Sequence, residues 1–567
     1  MISHIWLLLF AFFLGTIVDG RSSIVVGTKR NDCTLPSLTD ATFDQLHGGL
    51  ENGCFTSVDL VNAYIQRIND VNSTLHAVLE VNPDALKIAE QLDQEREGGH
   101  LRGPLHGLPV LVKDNIGTRD KMQTAAGSYA LVGAELDDDS TVVARLRDHG
   151  LIILGKTSLS EWANVRSMNS SNGWNARGGQ TYAAYHPKQD PNGSSSGSAV
   201  ATDLALAFAA LGTETSGSIL LPSEVSNIVG IKPTVGLTSR RLVIPVSPRQ
   251  DTVGPMARTV KDAALLLQAM TGPDPYDNYT LASPYGSSPP DYVAACQLSG
   301  LQGKRIGIPQ NVLSTLTGSF TPMATAFKAA VSVMAQAGAV IVRDTNFTAY
   351  EEYITDRNTT LAVMAIDFIS SISDYLNDNL TTNPHNLHNL SDIRSFTQQD
   401  PLEEYPSRDT QVWDLAISTG LSNTSPEFWA MYQKSLYYGG EGGLLGALSR
   451  HQLDAIILPT GIAADIPALV GAPAITVPMG AFPNSSAIEH NDRGDMVFIA
   501  PGIPFGISFL GKKWSEKELV GMAYAFEQRT LVRKTLKRVV EPRAELRDVV
   551  DDREDEDDDH EAGECGL

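Results

Sequence analysis

The sequence predicts an α/β fold with a mixed central β-sheet covered by helices on both faces. Three observations carry this expectation. Amphipathic helical stretches alternate with short, wholly apolar runs, the pattern of helices laid on a buried sheet. Hydrophobic residues make up 42% of the 567 positions and charged residues 19%, enough apolar side chain for a large core. Apolar runs also return late in the chain, after a long polar helical stretch, as a single sheet being completed would require.

The chain opens on "IWLLLFAFFLGTIV" (residues 5–18), a 14-residue apolar run shorter than a bilayer needs. Small residues suited to signal-peptidase cleavage follow at Val18-Asp19-Gly20, although His4 is the only basic side chain ahead of the run. Residues 1–20 are therefore expected to be a signal peptide and 21–41 an N-terminal extension, with no membrane span left after cleavage. From 42 to 70 the spacing predicts helical structure, with Leu60, Val61, Tyr64, Ile65 and Ile68 on one face of its second helix and Thr56 or Ser57 as that helix's cap. "LPVLVKDNI" (108–116) is a short apolar run cut off by Lys113-Asp114-Asn115, and 141–162 reads helix, glycine turn, buried strand. After a connection from 287, "KRIGIP" starts a new strand. The polar, helical stretch around 321–450 is expected to be a peripheral insertion. Strand-like runs at 453–460, 471–480 and 504–511 then rejoin the sheet, closing one large domain at 42–540 ahead of an acidic tail at 541–567.

A formal net charge of −23 argues against nucleic acid and anionic membrane as partners. Part of it is local: residues 551–564 hold ten acids against one Arg and are expected to stay solvated and disordered. Ten N-x-S/T sequons, four of them close together at Asn346, Asn358, Asn379 and Asn389, fit a secreted glycoprotein. The four cysteines are too few for a disulfide scaffold, and Cys33 with Cys54 is the only pair close in sequence. No Cys or His grouping has metal-ligand spacing, so no metal or other cofactor is expected.

Residues 191–223 read "PNGSSSGSAVATDLALAFAALGTETSGSILLPS", with seven Ser and four Gly gathered toward the two ends. The run between them, "AVATDLALAFAAL" (199–211), carries one charge and strong helix propensity. It is expected to be a buried helix pinning a Ser/Gly loop at each end, rather than a flexible linker. Loops held on rigid elements are where chemistry tends to sit. Two such loops and an isolated Lys113 suggest a serine nucleophile with a lysine base. A hydroxyl needs a base to attack, and a lysine serves as one near neutrality only when desolvation lowers its pKa. On the local sequence alone, a surface Lys113 paired with Asp114 is the favoured reading. A Ser-His-Asp site is the competing mechanism, but no G-x-S-x-G elbow with a plausible downstream His stands out.

Several separated segments, in order, make the chain resemble the amidase signature family of serine hydrolases of carboxylic amides. "GPLHGLPVLVKDNI" (103–116) is similar to the segment around that family's catalytic lysine, and "GSSSGSAVA" (193–201) to its Gly-Ser-Ser-Gly loop. "GTETSGSILLPSEVSNIVGIKPTVGLTS" (212–239) resembles its nucleophile loop and the strand beyond. "GWNARGGQT" (173–181) and "QDTVGPMARTVKDAALLL" (250–267) are similar to its peptide-amidase-like branch. The resemblance runs from about 42 to 529 and implies the amidase signature fold, with a small-molecule or peptide amide as substrate.

Carried over residue by residue, it implies Ser218 as the acyl-forming nucleophile, Ser194 as a bridging serine after a cis Gly193–Ser194 peptide, and Lys113 as the base. The separation of 24 positions between Ser194 and Ser218 selects Ser194 over Ser195 and Ser196. Main-chain N–H groups of Thr215, Ser216, Gly217 and Ser218 are implied as the oxyanion hole. Ser216 stands where the family has Gly or Asp, Leu220 where much of it has Arg, and Ser196 where it has Gly. The loss of that Arg argues for a neutral, apolar acyl group. Two other readings compete: an amidotransferase A-like subunit, which the apparent signal peptide and sequons disfavour, and a non-catalytic amide binder, which the intact Lys113, Ser194 and Ser218 disfavour. Tailoring of a specialised metabolite is an open role for the favoured amidase, and a homodimer is the one assembly left open.

Overall fold

The computed structural model describes residues 33–551. The expected signal peptide, most of the N-terminal extension and the acidic tail beyond 551 lie outside the described residues.

Eleven strands make one mixed sheet. In chain order they are β1 (Val78–Val81), β2 (Pro109–Lys113), β3 (Ile152–Thr157), β4 (Ala209–Glu214), β5 (Val229–Lys232) and β6 (Thr252–Ala257), then β7 (Arg305–Ile308), β8 (Val340–Arg343), β9 (Ala455–Pro459), β10 (Ala474–Ala481) and β11 (Pro504–Leu510). Their spatial order is β1-β3-β2-β4-β6-β5-β10-β11-β9-β7-β8. The β3–β2–β4 trio is parallel, as is β9–β7–β8, and antiparallel pairs join the two. The central strands β2, β3, β4, β9 and β11 are buried at every position, which is why they read as unbroken apolar runs rather than alternating ones.

The helices that matter for the site are α1 (Phe43–Glu51), α2 (Ser57–Leu75), α3 (Thr141–Asp148), α4 (Ser196–Asp203), α5 (Leu220–Val225), α6 (Thr321–Gln336), α7 (Arg357–Asp378), α8 (Gln411–Ser418) and α9 (Pro426–Gly439). Thr56 caps α2: its hydroxyl accepts from Asp59 N–H at 3.1 Å while the Asp59 carboxylate accepts from Thr56 N–H at 2.7 Å. Leu60, Val61, Tyr64 and Ile68 bury the expected face. Arg67, fully buried on the same helix, gathers carbonyls from distant segments. It donates to Leu204 O at 2.9 Å, Ala205 O at 2.8 Å and Ala544 O at 2.6 Å. The N-terminal segment meets the C-terminal one at the same place, where Glu545 accepts from Ser37 Oγ at 3.0 Å and Leu38 N–H at 2.7 Å. Cys33 and Cys54 form a disulfide.

Three expectations need correction. The 199–211 run is not one helix: α4 ends at Asp203, Ala205 turns left-handed at φ 50°, and β4 begins at Ala209. Full burial leaves such a run without periodicity, so pairing with β2 and β6 decides its second half against Ala/Leu helix propensity. The 321–450 stretch is neither wholly helical nor wholly peripheral. It supplies edge strand β8, and Phe368 of α7 and Trp413 of α8 pack edge-on to Trp162 with ring centroids 6.3 and 5.9 Å away. Finally, residues 541–551 do not belong to the tail: Leu546, Val549 and Val550 are buried against the core.

Candidate active site

Register places the site. β2 and β4 pair in parallel from Val110↔Ala209 to Val112↔Leu211, which aligns their carboxyl ends. Sites of open α/β sheets gather at such ends. Lys113 closes β2 and Thr213-Glu214 close β4, while the loop entering α4 carries Ser194 and Ser195 over both.

Lys113 is fully buried. Its ammonium nitrogen donates to Ser194 Oγ at 2.7 Å, Thr213 Oγ1 at 2.9 Å and Ser195 Oγ at 3.1 Å, with Thr213 O at 3.3 Å. Burial pulls its pKa down to about 7, and the Glu214 and Asp251 carboxylates offset only part of that. The surface pairing with Asp114 does not occur: Asp114 is buried and accepts from Arg177 at 3.0 Å. Two other lysines are as deeply buried, but Lys156 donates to Ile116 O and Thr124 Oγ1, and Lys232 to Ala472 O. Of these three lysines, Lys113 alone reaches a serine.

The two Ser/Gly loops are tied to each other by Ser195 N–H donating to Ser218 O at 3.1 Å. The Gly193–Ser194 peptide is cis. A Cβ on Gly193 would stand 2.4 Å from Ser160 Oγ, so a side chain there would have to displace the Ser160 hydroxyl that accepts from Gly173 N–H. Gly217 has φ 79°, and a Cβ on it would stand 2.6 Å from Leu221 Cδ1. Ser218 is 7% exposed, and its hydroxyl makes no hydrogen bond among the described residues. The main-chain N–H groups of Thr215, Ser216 and Ser218 likewise have no partner there. The Gly217 amide faces the Glu214 carboxylate, so of the four expected oxyanion donors it is the one with an internal competitor. Glu214 Oε2 also accepts from Ile219 N–H at 2.7 Å and Leu220 N–H at 3.0 Å, fixing the turn into α5. Side chains anchor the loop from outside. Thr215 Oγ1 donates to Asp251 at 2.6 Å and Ser216 Oγ to Asp465 at 2.8 Å, and Asp465 is ion-paired with Arg357 of α7.

Lys113 and Ser194 thus meet, and Ser195 N–H ties their loop to the one that carries Ser218. Sequence reasoning passed over Thr213, Ser195 and Asn115, whose amide donates to Thr213 Oγ1 at 3.0 Å. All three stand inside the segments quoted above, but only the folded chain brings Thr213 and Ser195 to the Lys113 nitrogen and Asn115 to Thr213.

Asn192 is expected to stay unglycosylated although it opens a sequon with Gly193 and Ser194. Its side-chain oxygen accepts from Gly193 N–H at 2.9 Å and its carbonyl from Ser196 Oγ at 2.6 Å, which turns the residue into the loop. Glycopeptide mapping of active protein checks this: an occupied Asn192 would be incompatible with a working Ser194.

The amidase family model matches residues 59–520, so the chain belongs to the amidase signature family. It is an amidase, a hydrolase of carbon–nitrogen bonds in linear amides. A protein from Arthroderma benhamiae named "Putative amidase" is 53% identical over 539 residues, covering 91% of this chain and 90% of the relative. The native peptide amidase of Stenotrophomonas maltophilia superposes with a TM-score of 0.78 at 38% identity, over 89% of this chain and 99% of that one. The A-type subunit of the glutamyl-tRNA(Gln) amidotransferase of Salinispora tropica is 29% identical over 524 residues, 87% of this chain and 98% of the relative.

Proposed function

We propose that the protein cleaves linear carboxylic amides through an acyl-enzyme, with Ser218 as nucleophile, Ser194 as proton bridge and Lys113 as base. The observation that carries this reading is the 2.7 Å contact from the nitrogen of a fully buried Lys113 to Ser194 Oγ. Ser218 Oγ bonds to the substrate carbonyl carbon while its proton passes to Ser194 and that of Ser194 to Lys113. The tetrahedral oxyanion is taken up by the free amides of Thr215, Ser216 and Ser218. As the C–N bond breaks, the proton returns through Ser194 to the leaving amine. Water then attacks the acyl-enzyme by the same relay and releases the acid. Ser218 and Ser194 hydroxyls are brought into line by seated substrate, since catalytic hydrogen bonds are often loose before substrate binds. Covalent labelling by a fluorophosphonate, mapped by mass spectrometry, tests the assignment: the adduct is expected on Ser218, and a modified residue elsewhere would overturn it.

A small-molecule or peptide amide is the substrate, a reading supported by the likeness to a peptide amidase at 38% identity. Secretion is part of the proposal. It rests on the short apolar run and the Val18-x-Gly20 site, and no helix among the described residues is long and apolar enough to cross a membrane. N-terminal sequencing of protein recovered from the medium is expected to begin at Arg21; a start at Met1 would overturn it.

A further inference from the structure

A cavity of about 370 Å³ lies beside α5, the helix that follows the Ser216–Ser218 turn, and holds a group the reaction does not use. Its wall takes Asn192 from one Ser/Gly loop and Leu221 from α5, the residue packed onto Gly217. Glu224 and Val225 lie one turn further along the same helix face, so the cavity leads away from the nucleophile along α5. Within α5, at 1.5 Å of rise per residue, Glu224 stands about 6 Å along the axis from Leu220, which comes two residues after Ser218. The rest of the wall is apolar and aromatic, with Phe320, Phe482, Phe498 and Phe505 among its side chains.

Glu224 is the one ionisable residue on this wall and is only 5% exposed. Gly506 N–H donates to its Oε2 at 3.2 Å and the Gly461 amide faces it, but it meets no cation among the described residues. Several other buried acids do meet one, although among the described residues Asp190 does not. Asp114 has Arg177, Glu214 has Lys232, and Asp203 has both Arg533 and Arg538. Burial without a counter-ion pushes the Glu224 carboxyl up to about 8. A carboxylate is costly to bury alone, and the aromatic faces around it favour a cation.

We propose that this cavity is a substrate subsite for amides whose acyl part ends in a protonated amine on an apolar stem, the ammonium pairing with Glu224. The stem lies along Leu221 and the phenylalanine rings while the amide carbonyl reaches Ser218. The proposal rests on the assignment of Ser218 as nucleophile for its direction of binding.

The test compares ε-aminocaproamide with heptanamide, its uncharged isostere, on the wild type and on Glu224→Gln, which keeps the volume and removes the charge. The wild-type kcat/KM ratio is expected to favour the amine by about tenfold or more, as hydrogen bonds to charged groups commonly do. Glu224→Gln is expected to bring that ratio to about one. A wild-type preference for heptanamide, or a ratio that Glu224→Gln leaves unchanged, overturns the proposal. Calorimetric binding of hexylammonium against hexanol, on Ser218→Ala protein with and without Glu224→Gln, reads the cavity without chemistry. Glu224-dependent hexylammonium binding with neither amide hydrolysed would mean that the hydrolytic reading has failed and the subsite stands. Hydrolysis without ammonium selectivity would mean the reverse. Absence of both overturns the two together.

Discussion

Ser218→Ala is expected to remove activity almost completely, with a loss on the order of 10⁶ in kcat, the scale seen when a serine nucleophile is deleted. No other hydroxyl can take its place. Ser216 Oγ is committed to Asp465, Thr215 Oγ1 to Asp251, and Ser195 Oγ to Thr213 O at 3.0 Å. The substitution deletes one oxygen from a loop whose backbone is set by Glu214, Gly217 and the Ser195–Ser218 contact, so the fold should survive. Fluorophosphonate labelling followed by intact mass, alongside kcat/KM on one amide, measures the effect. Residual activity within a hundredfold of wild type would place the nucleophile elsewhere.

Lys113→Ala should cost 10²–10⁴-fold in kcat/KM, about what a general base contributes. The pH profile carries the sharper information. Burial favours the neutral amine and brings the pKa to about 7, so the base is competent above that pH and blocked by its own proton below it. Wild-type kcat/KM should therefore rise with pH through about 7 and fall close to tenfold per unit on the acid side. That limb should vanish in Lys113→Ala. Ser194→Ala should fall between the two, with water bridging imperfectly, and the three single losses should not add, because the residues act as one unit. A Lys113→Ala enzyme near wild-type activity at pH 7 to 8 would end the Ser-Ser-Lys assignment.

The parts of this molecule legible from sequence are those whose signal is local. β2, β3, β9, β10 and β11 announced themselves as apolar runs bounded by turn residues, and α2 by its periodic face and its Thr56 cap. The run from 199 to 211 failed for a physical reason: buried on all sides, its second half shows neither the period of a helix nor that of a strand, and only its neighbours β2 and β6 decide. The same split divides the site. Lys113, Ser194 and Ser218 were singled out in the sequence because each sits in a distinctive segment. Thr213, Ser195, Asn115 and the cavity around Glu224 were not, since they acquire meaning when β2, β4 and loops hundreds of residues away are brought together.

The clasp at Arg67 has a consequence for how the protein is made. Glu545 holds Leu38 and Ser37 across sequence separations of 507 and 508 residues, and Arg67 links Ala544 to Leu204 and Ala205, the hinge between α4 and β4. Contacts this distant in sequence form last, because loop closure must precede them. During translation the brace behind the serine loops cannot close until Ala544 and Glu545 have left the ribosome. A nascent chain halted before 541 would carry every residue assigned to the chemistry, yet would leave the Arg67 guanidinium without its Ala544 carbonyl. Co-translational maturation of this enzyme should therefore be abrupt, with activity appearing only after Ala544 and Glu545 have emerged.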